Sequence, residues 1–223
     1  MERTNMKGTF AKYVSLNIIG MMGLSCYILA DTFFVAQGIG VNGLSALNLA
    51  IPIYSFLHGT GLMIGMGGAT RYSISKSKET FTQSLYYAFF ISCLFLIIGI
   101  LFSNQLATLL GADSDTLQNA NIYLRTILNF APMFLLNNVI ICFVRNDDNP
   151  QLSMAAMLIG SFSNIILDYI FIFPCKMGMF GAAFATGIAP VISLMILSLH
   201  FIKKKNTFYF KKVGTNHTGL PLL

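Results

Sequence analysis

The sequence predicts an all-α membrane protein, a bundle of six transmembrane helices with no soluble domain. Three observations predict it. Fifty-five per cent of the 223 residues are apolar and only 10% are charged, against roughly 25% charged in soluble domains. The apolar residues fall into blocks of about 20, the length that crosses a bilayer. The positive charges lie almost entirely on one side of those blocks.

The spans read at about 13–36, 44–70, 82–103, 120–143, 151–173 and 180–202. Span one is too long for a signal-peptide core, and Asp31 and Gln37 stand where small cleavage-site residues would be. Span two carries Pro52 and the glycines Gly61, Gly65, Gly67 and Gly68. No Gly-Lys-Ser/Thr follows, so these read as close helix packing rather than a phosphate loop. Span three is the clearest, with no charge from Leu85 to Phe102. The segment Asn104–Asn119 after it reads as the longest loop, with a short interfacial helix around Leu106–Leu110. Span four holds Asn137, Asn138 and a kink at Pro132. Pro150 suits the first position of span five, and Pro190 predicts a kink in span six.

The net charge of +6 does not read as nucleic-acid binding, because no basic groove with interleaved aromatics is present. Arg3, Lys7, Lys12, Arg71, Lys76, Lys78, Arg145, Lys203, Lys204, Lys205, Lys211 and Lys212 all fall on one side; Arg125 and Lys176 fall on the other. The positive-inside asymmetry makes that side, with both termini, cytoplasmic. Residues 1–12 are then a cytoplasmic segment, 13–203 the bundle and 204–223 a basic tail. Its ending, Gly219–Leu223, is too short to cross again.

Cys26, Cys93, Cys142 and Cys175 have no C-x-x-C spacing and read as packing residues, not a zinc site or disulfide framework. His58 and His200 read as incidental. No nucleophile constellation marks an enzyme, and no cofactor is expected.

Of eight acidic residues, Glu2, Glu79, Asp113, Asp115, Asp147 and Asp148 lie in loops or the tail, whereas Asp31 and Asp168 lie inside spans. A charge at that depth costs a few kcal/mol, so it normally faces the bundle interior and marks an ion or proton path. Counting about 1.5 Å per residue puts Asp31 and Asp168 about 9 Å, and Thr186 about 8 Å, from one membrane face. Asn164 shares the face of Asp168 at i−4. Two carboxylates, an amide oxygen and a hydroxyl suit a hard cation such as Na+, or a proton shared between the carboxyls. The bland alternative is interhelical hydrogen bonding alone.

A weak repeat supports the first reading. Asp31 leads to Gly43 and Pro52 nine residues on; Asp168 leads to Gly181 and Pro190, again nine on. Such repeats recur in transporters, with sites at the repeat interfaces.

Three stretches, YILADTFFVAQGIGVNGLSALNLAIPIYSF, FVRNDDNPQLSMAAMLIGSFSNIILDYIFIF and GMFGAAFATGIAP, stand in that order over residues 10–203. They resemble the amino-terminal half of bacterial multidrug and toxic compound extrusion (MATE) transporters. The resemblance implies one six-helix lobe of a twelve-helix protein in the bacterial cell membrane, exporting organic cations or drugs in exchange for H+ or Na+. Motif by motif it puts the coupling ion at Asp31, Asn164, Asp168 and Thr186, with a carbonyl near Ala182. Where many members have a proline early in helix one, this chain has Leu16. Lys203–Lys212 resembles the start of the interlobe linker, and Gly214–Leu223 does not continue it. Expected partners are the bilayer, drug substrates, and a missing C-terminal lobe or a second copy. A truncated gene product, inert in the membrane, is the alternative. Related flippases line their cavity with several basic residues, and here only Arg125 is available, so a lipid-linked cargo ranks last.

Overall fold

The structure, a computed structural model, describes residues 6–77, 79–204 and 206–211. Arg3, Lys78, Lys205, Lys212 and the ending Gly214–Leu223, on which expectations were placed, lie outside the described residues. Seven helices and no strand occur among those described: α1 Met6–Gly38, α2 Val41–Ser75, α3 Glu79–Leu109, α4 Leu117–Asn129, α5 Ala131–Asn146, α6 Pro150–Ile172 and α7 Gly178–Ile202. Five are long and apolar enough to cross a membrane, and α4 with α5 forms a sixth, bent span. Large apolar side chains such as Phe56, Phe90, Leu94 and Phe162 stay more than half exposed on the outside of the bundle. Water would disfavour such a surface, and lipid accommodates it.

The fourth span does not run straight: the kink expected at Pro132 is present, and α4 and α5 meet at 49° around Phe130. Pro132 has no N–H to give the carbonyl of Leu128, and its ring crowds the preceding turn, so the chain restarts with proline in the first turn of α5. The Phe130 ring fills the space left by the missing side chain of Gly187. The separate interfacial helix expected around Leu106–Leu110 does not form, because α3 continues through it to Leu109. It stops where Gly111 takes φ +97°, a left-handed position that favours glycine. Beyond it, Asp113 accepts from the Thr116 hydroxyl at 2.7 Å and the Thr116 N–H at 3.0 Å. These bonds hold its carboxyl below the usual range, the Thr116 hydroxyl most.

Glycines set the helix crossings. On α2, Gly61 and Gly65 lie against Asn138 and Val139 of α5, and Gly68 lies against Ser84 of α3. Gly67 faces open space. On α1, Gly20 and Gly23 meet Met157 and Leu158 of α6, and Gly38 meets Ile172. The two hairpins of the sequence repeat therefore pack differently. Helices α6 and α7 run along each other, whereas α1 leaves α2 and packs chiefly on α6. Among the cysteines only Cys142 is buried; Cys26 and Cys175 are exposed, so packing does not account for them, and all four are free thiols.

The basic end of the bundle is closed by the chain after α7. Phe208 is fully buried, 4.7 Å from the Phe81 ring and 5.4 Å from those of Phe143 and Phe201. Asp147, read from sequence as a solvated loop acid, has a side chain only 5% exposed. It accepts from His200 Nε2 at 2.8 Å, from the Thr207 N–H at 2.8 Å and from the Thr207 hydroxyl. His200, only 1% exposed, also faces Asn149 Nδ2 at 3.2 Å. It is therefore not incidental. It ties α7 to the α5–α6 turn.

Candidate functional site

The i, i+3/i+4 stripe of α1 carries Gly20, Gly23, Tyr27, Asp31, Val35 and Gly38; its glycines lie against α6, and Tyr27 reaches Tyr54 of α2. Small residues there let the two backbones approach, which carries Asp31 inward. On α6 the matching buried stripe is Gly160, Ser161, Asn164, Asp168 and Ile172. On α7 it is Ala182, Thr186, Pro190 and Ser193. The four residues singled out in the sequence thus come from three helices that pack on one another.

All four are buried: Asp31 is 5% exposed, Thr186 3%, and Asn164 and Asp168 are fully enclosed. The Thr186 hydroxyl donates to the carbonyl of Ala182 at 3.1 Å. Asn164 bridges to it. With its amide turned to satisfy both ends, Nδ2 donates to Asp168 Oδ2 at 3.1 Å and Oδ1 accepts from the Thr186 N–H at 3.1 Å. Asp31 and Asp168 are near enough to feel each other's charge. Each keeps one oxygen, Oδ1, buried with no hydrogen-bond partner. Pro190, lacking an N–H, leaves the Thr186 carbonyl without its helical donor.

Sequence reasoning missed the tyrosines. Asp31 lines a cavity of about 80 Å³ with Tyr27, Tyr54, Tyr123 and Thr186. Tyr27 and Tyr54 are hydrogen-bonded through their hydroxyls, and with Thr186 they also line a larger cavity of about 290 Å³. That second space lies between α1, α2, α5, α6 and α7, and apolar side chains such as Met66 and Phe134 share its wall with polar ones. Asn137, Asn138, His58, Arg145 and Ser193 are among its polar groups. A tyrosine in an apolar helix gives no signal by itself. The one available was spacing, since Tyr27 and Asp31 stand one turn apart. Among the described residues no cluster of three or more His, Cys, Asp or Glu side chains is arranged to hold a metal ion. The oxygen-only set around Asp31 and Asp168 has the chemistry of a hard monovalent cation or a proton.

The family model for MatE matches residues 17–170. The chain belongs to the MatE family. Multidrug export protein MepA of Staphylococcus aureus is 30% identical over 196 residues, which are 85% of this chain and 44% of MepA. The solved MATE multidrug transporter DinF-BH superposes with a TM-score of 0.81 at 26% identity, covering 89% of this chain and 47% of that one. A MATE structure in the bent conformation gives 0.79 at 27% identity, over 92% and 48%. This MatE chain spans about half the length of the curated relatives it matches. The fold is that of one six-span lobe of a membrane transporter.

Proposed function

We propose that this lobe drives cation-coupled export of drugs or small organic cations, with Asp31, Asn164, Asp168 and Thr186 holding the coupling H+ or Na+. One observation carries the reading. Two buried carboxyls from different helices each leave an oxygen unpartnered, beside the Asn164 amide, which joins Asp168 to the Thr186 backbone, and the Thr186 hydroxyl, which bonds to the Ala182 carbonyl. Buried polar atoms are ordinarily paired, so the pair is poised to take a cation. Binding there draws α1 toward α6 and α7, and the two tyrosines shared with the larger cavity pass that movement to bound substrate. The similarity to multidrug export protein MepA supports the cargo class.

In the same reading the basic end of the bundle faces the cytoplasm, and a second six-helix lobe, from another chain or a second copy, completes the substrate path. The test is uptake of a fluorescent organic cation into vesicles carrying this chain with a complementing lobe, under an imposed H+ or Na+ gradient. Asp31→Asn is expected to cut gradient-driven transport at least tenfold. Transport by Asp31→Asn equal to that of the unaltered chain would remove the coupling role.

A further inference from the structure

The larger cavity holds polar groups that the ion site does not use. Asn138 Nδ2 donates to the His58 carbonyl at 3.1 Å and approaches His58 Nδ1 at 3.2 Å. A carbonyl only accepts, so the first contact fixes which end of the amide faces His58. The second amide hydrogen then makes Nδ1 an acceptor, and the ring proton sits on Nε2. No described residue takes that Nε2–H. The His58 ring is stacked on Tyr54, 6.1 Å between centres and 18° between planes, giving α2 an aromatic wall on the cavity. Close approach at Gly61 keeps Asn138 against the ring. From α5, Asn137 offers an amide oxygen that is buried and has no partner, and from α7 the buried Ser193 hydroxyl is likewise unpaired. No carboxylate lines this space, and Arg145 borders it.

We propose that the larger cavity binds a flat heteroaromatic ligand, with His58 Nε2–H donating to a ring or carbonyl acceptor and Asn137 Oδ1 accepting from a ligand N–H. Recognition here is by stacking and hydrogen bonding, not by ion pairing. A flat ring system lies against the Tyr54–His58 wall. Its edge satisfies the His58 and Asn137 groups, two of the three that the fold leaves open, which is what separates one apolar ligand from another of similar size. This rests on reading the chain as an export lobe, but it concerns equilibrium binding and does not require a transport cycle.

The experiment measures fluorescence binding of two probes to the purified full chain in detergent: lumichrome, flat with carbonyl and N–H groups, and pyrene, flat and without either. His58→Phe, which keeps the aromatic wall and removes the donor, is expected to weaken lumichrome at least fivefold and leave pyrene within twofold. His58→Gln, which restores an N–H donor, is expected to recover part of the loss. Asn137→Leu should repeat the selective effect from α5, and it decides the matter if His58→Phe is not stably folded. Equal weakening of both probes, no weakening of lumichrome by either variant, or failure of the unaltered chain to bind either probe would overturn the assignment. Loss of gradient-driven transport with intact lumichrome selectivity would sink only the export reading.

Discussion

Asp31 and Asp168 were legible from sequence because a carboxyl inside an apolar span has to be explained, and counting residues from the helix ends placed both at one depth. Asn164 and Thr186 followed from helical spacing and the MATE resemblance. His58 and His200 were not legible, because their partners lie 80 and 53 residues away in sequence. Only the fold shows that Asn138 orients one ring and Asp147 holds the other. Within the proposed ion site, Thr186 is the residue whose role separates most cleanly from folding. Its hydroxyl bonds to the Ala182 carbonyl of its own helix and accepts from Asn164 in one amide orientation, at 3.3 Å. Thr186→Val keeps the shape and removes those bonds, each worth about 0.5–1.5 kcal/mol net. If the hydroxyl also completes the ion's oxygen shell, Na+ or proton binding, measured by isothermal titration at varied pH, falls about tenfold while the thermal midpoint moves by a few degrees at most. An unchanged ion affinity would leave Thr186 as packing alone.

Helices were legible as apolar blocks, and the bend at Pro132 was legible from its residue type, but helix ends were not. Hydropathy runs on through Pro132, while the proline removes one hydrogen bond and clashes with the turn before it, so the backbone bends there. The error at Leu106–Leu110 comes from reading hydropathy alone. Polar Asn104 and Gln105 mark the end of the apolar block but do not stop a helix, whereas Gly111 does. The glycines of α2 illustrate how position decides effect. A methyl group on Gly65 would come within 2.8 Å of the Asn138 carbonyl and 3.0 Å of the Val139 Cα, both backbone atoms that cannot swing aside, while at Gly67 it would meet nothing. Gly65→Val therefore overpacks the α2–α5 crossing and is expected to destabilise by about 1–3 kcal/mol. Gly67→Val, on the open face of the same helix, is expected to change stability by less than about 0.5 kcal/mol. Thermal unfolding in detergent, followed by circular dichroism, measures both. Equal shifts for the two would mean that the crossing is looser than the glycine contacts require.

Across the whole molecule, the two ends of the bundle are built on different physics. At the Asp31 end, unpaired oxygens stay enclosed in a small cavity, which suits a site that fills and empties. At the basic end, polar groups are paired and aromatic rings are packed, which suits a fixed closure. The segment Asn206–Lys211 supplies that closure: Phe208 enters a ring cluster from α3, α5 and α7, and the Lys211 N–H donates to Thr82 Oγ1 at 2.9 Å. Composition read this stretch as part of a basic tail because lysines stand on both sides of Phe208, Tyr209 and Phe210. The fold places Phe208 in the core and leaves Phe210 and the lysines Lys203, Lys204 and Lys211 outside. Phe208→Ala would remove a fully buried ring, a change that costs about 3–5 kcal/mol when the whole fold bears it. Here the segment can detach locally instead, so the expected result is selective. Hydrogen exchange at the Thr207 and Lys211 amides rises by at least two orders of magnitude, while amides in the middle of α6 and α7 keep their protection. Phe210→Ala, at a ring that is 62% exposed, leaves the same amides protected. Uniform loss of protection across the bundle would instead make the segment part of the cooperative core, and unchanged exchange at Thr207 would place the closure on Asp147 and His200 alone.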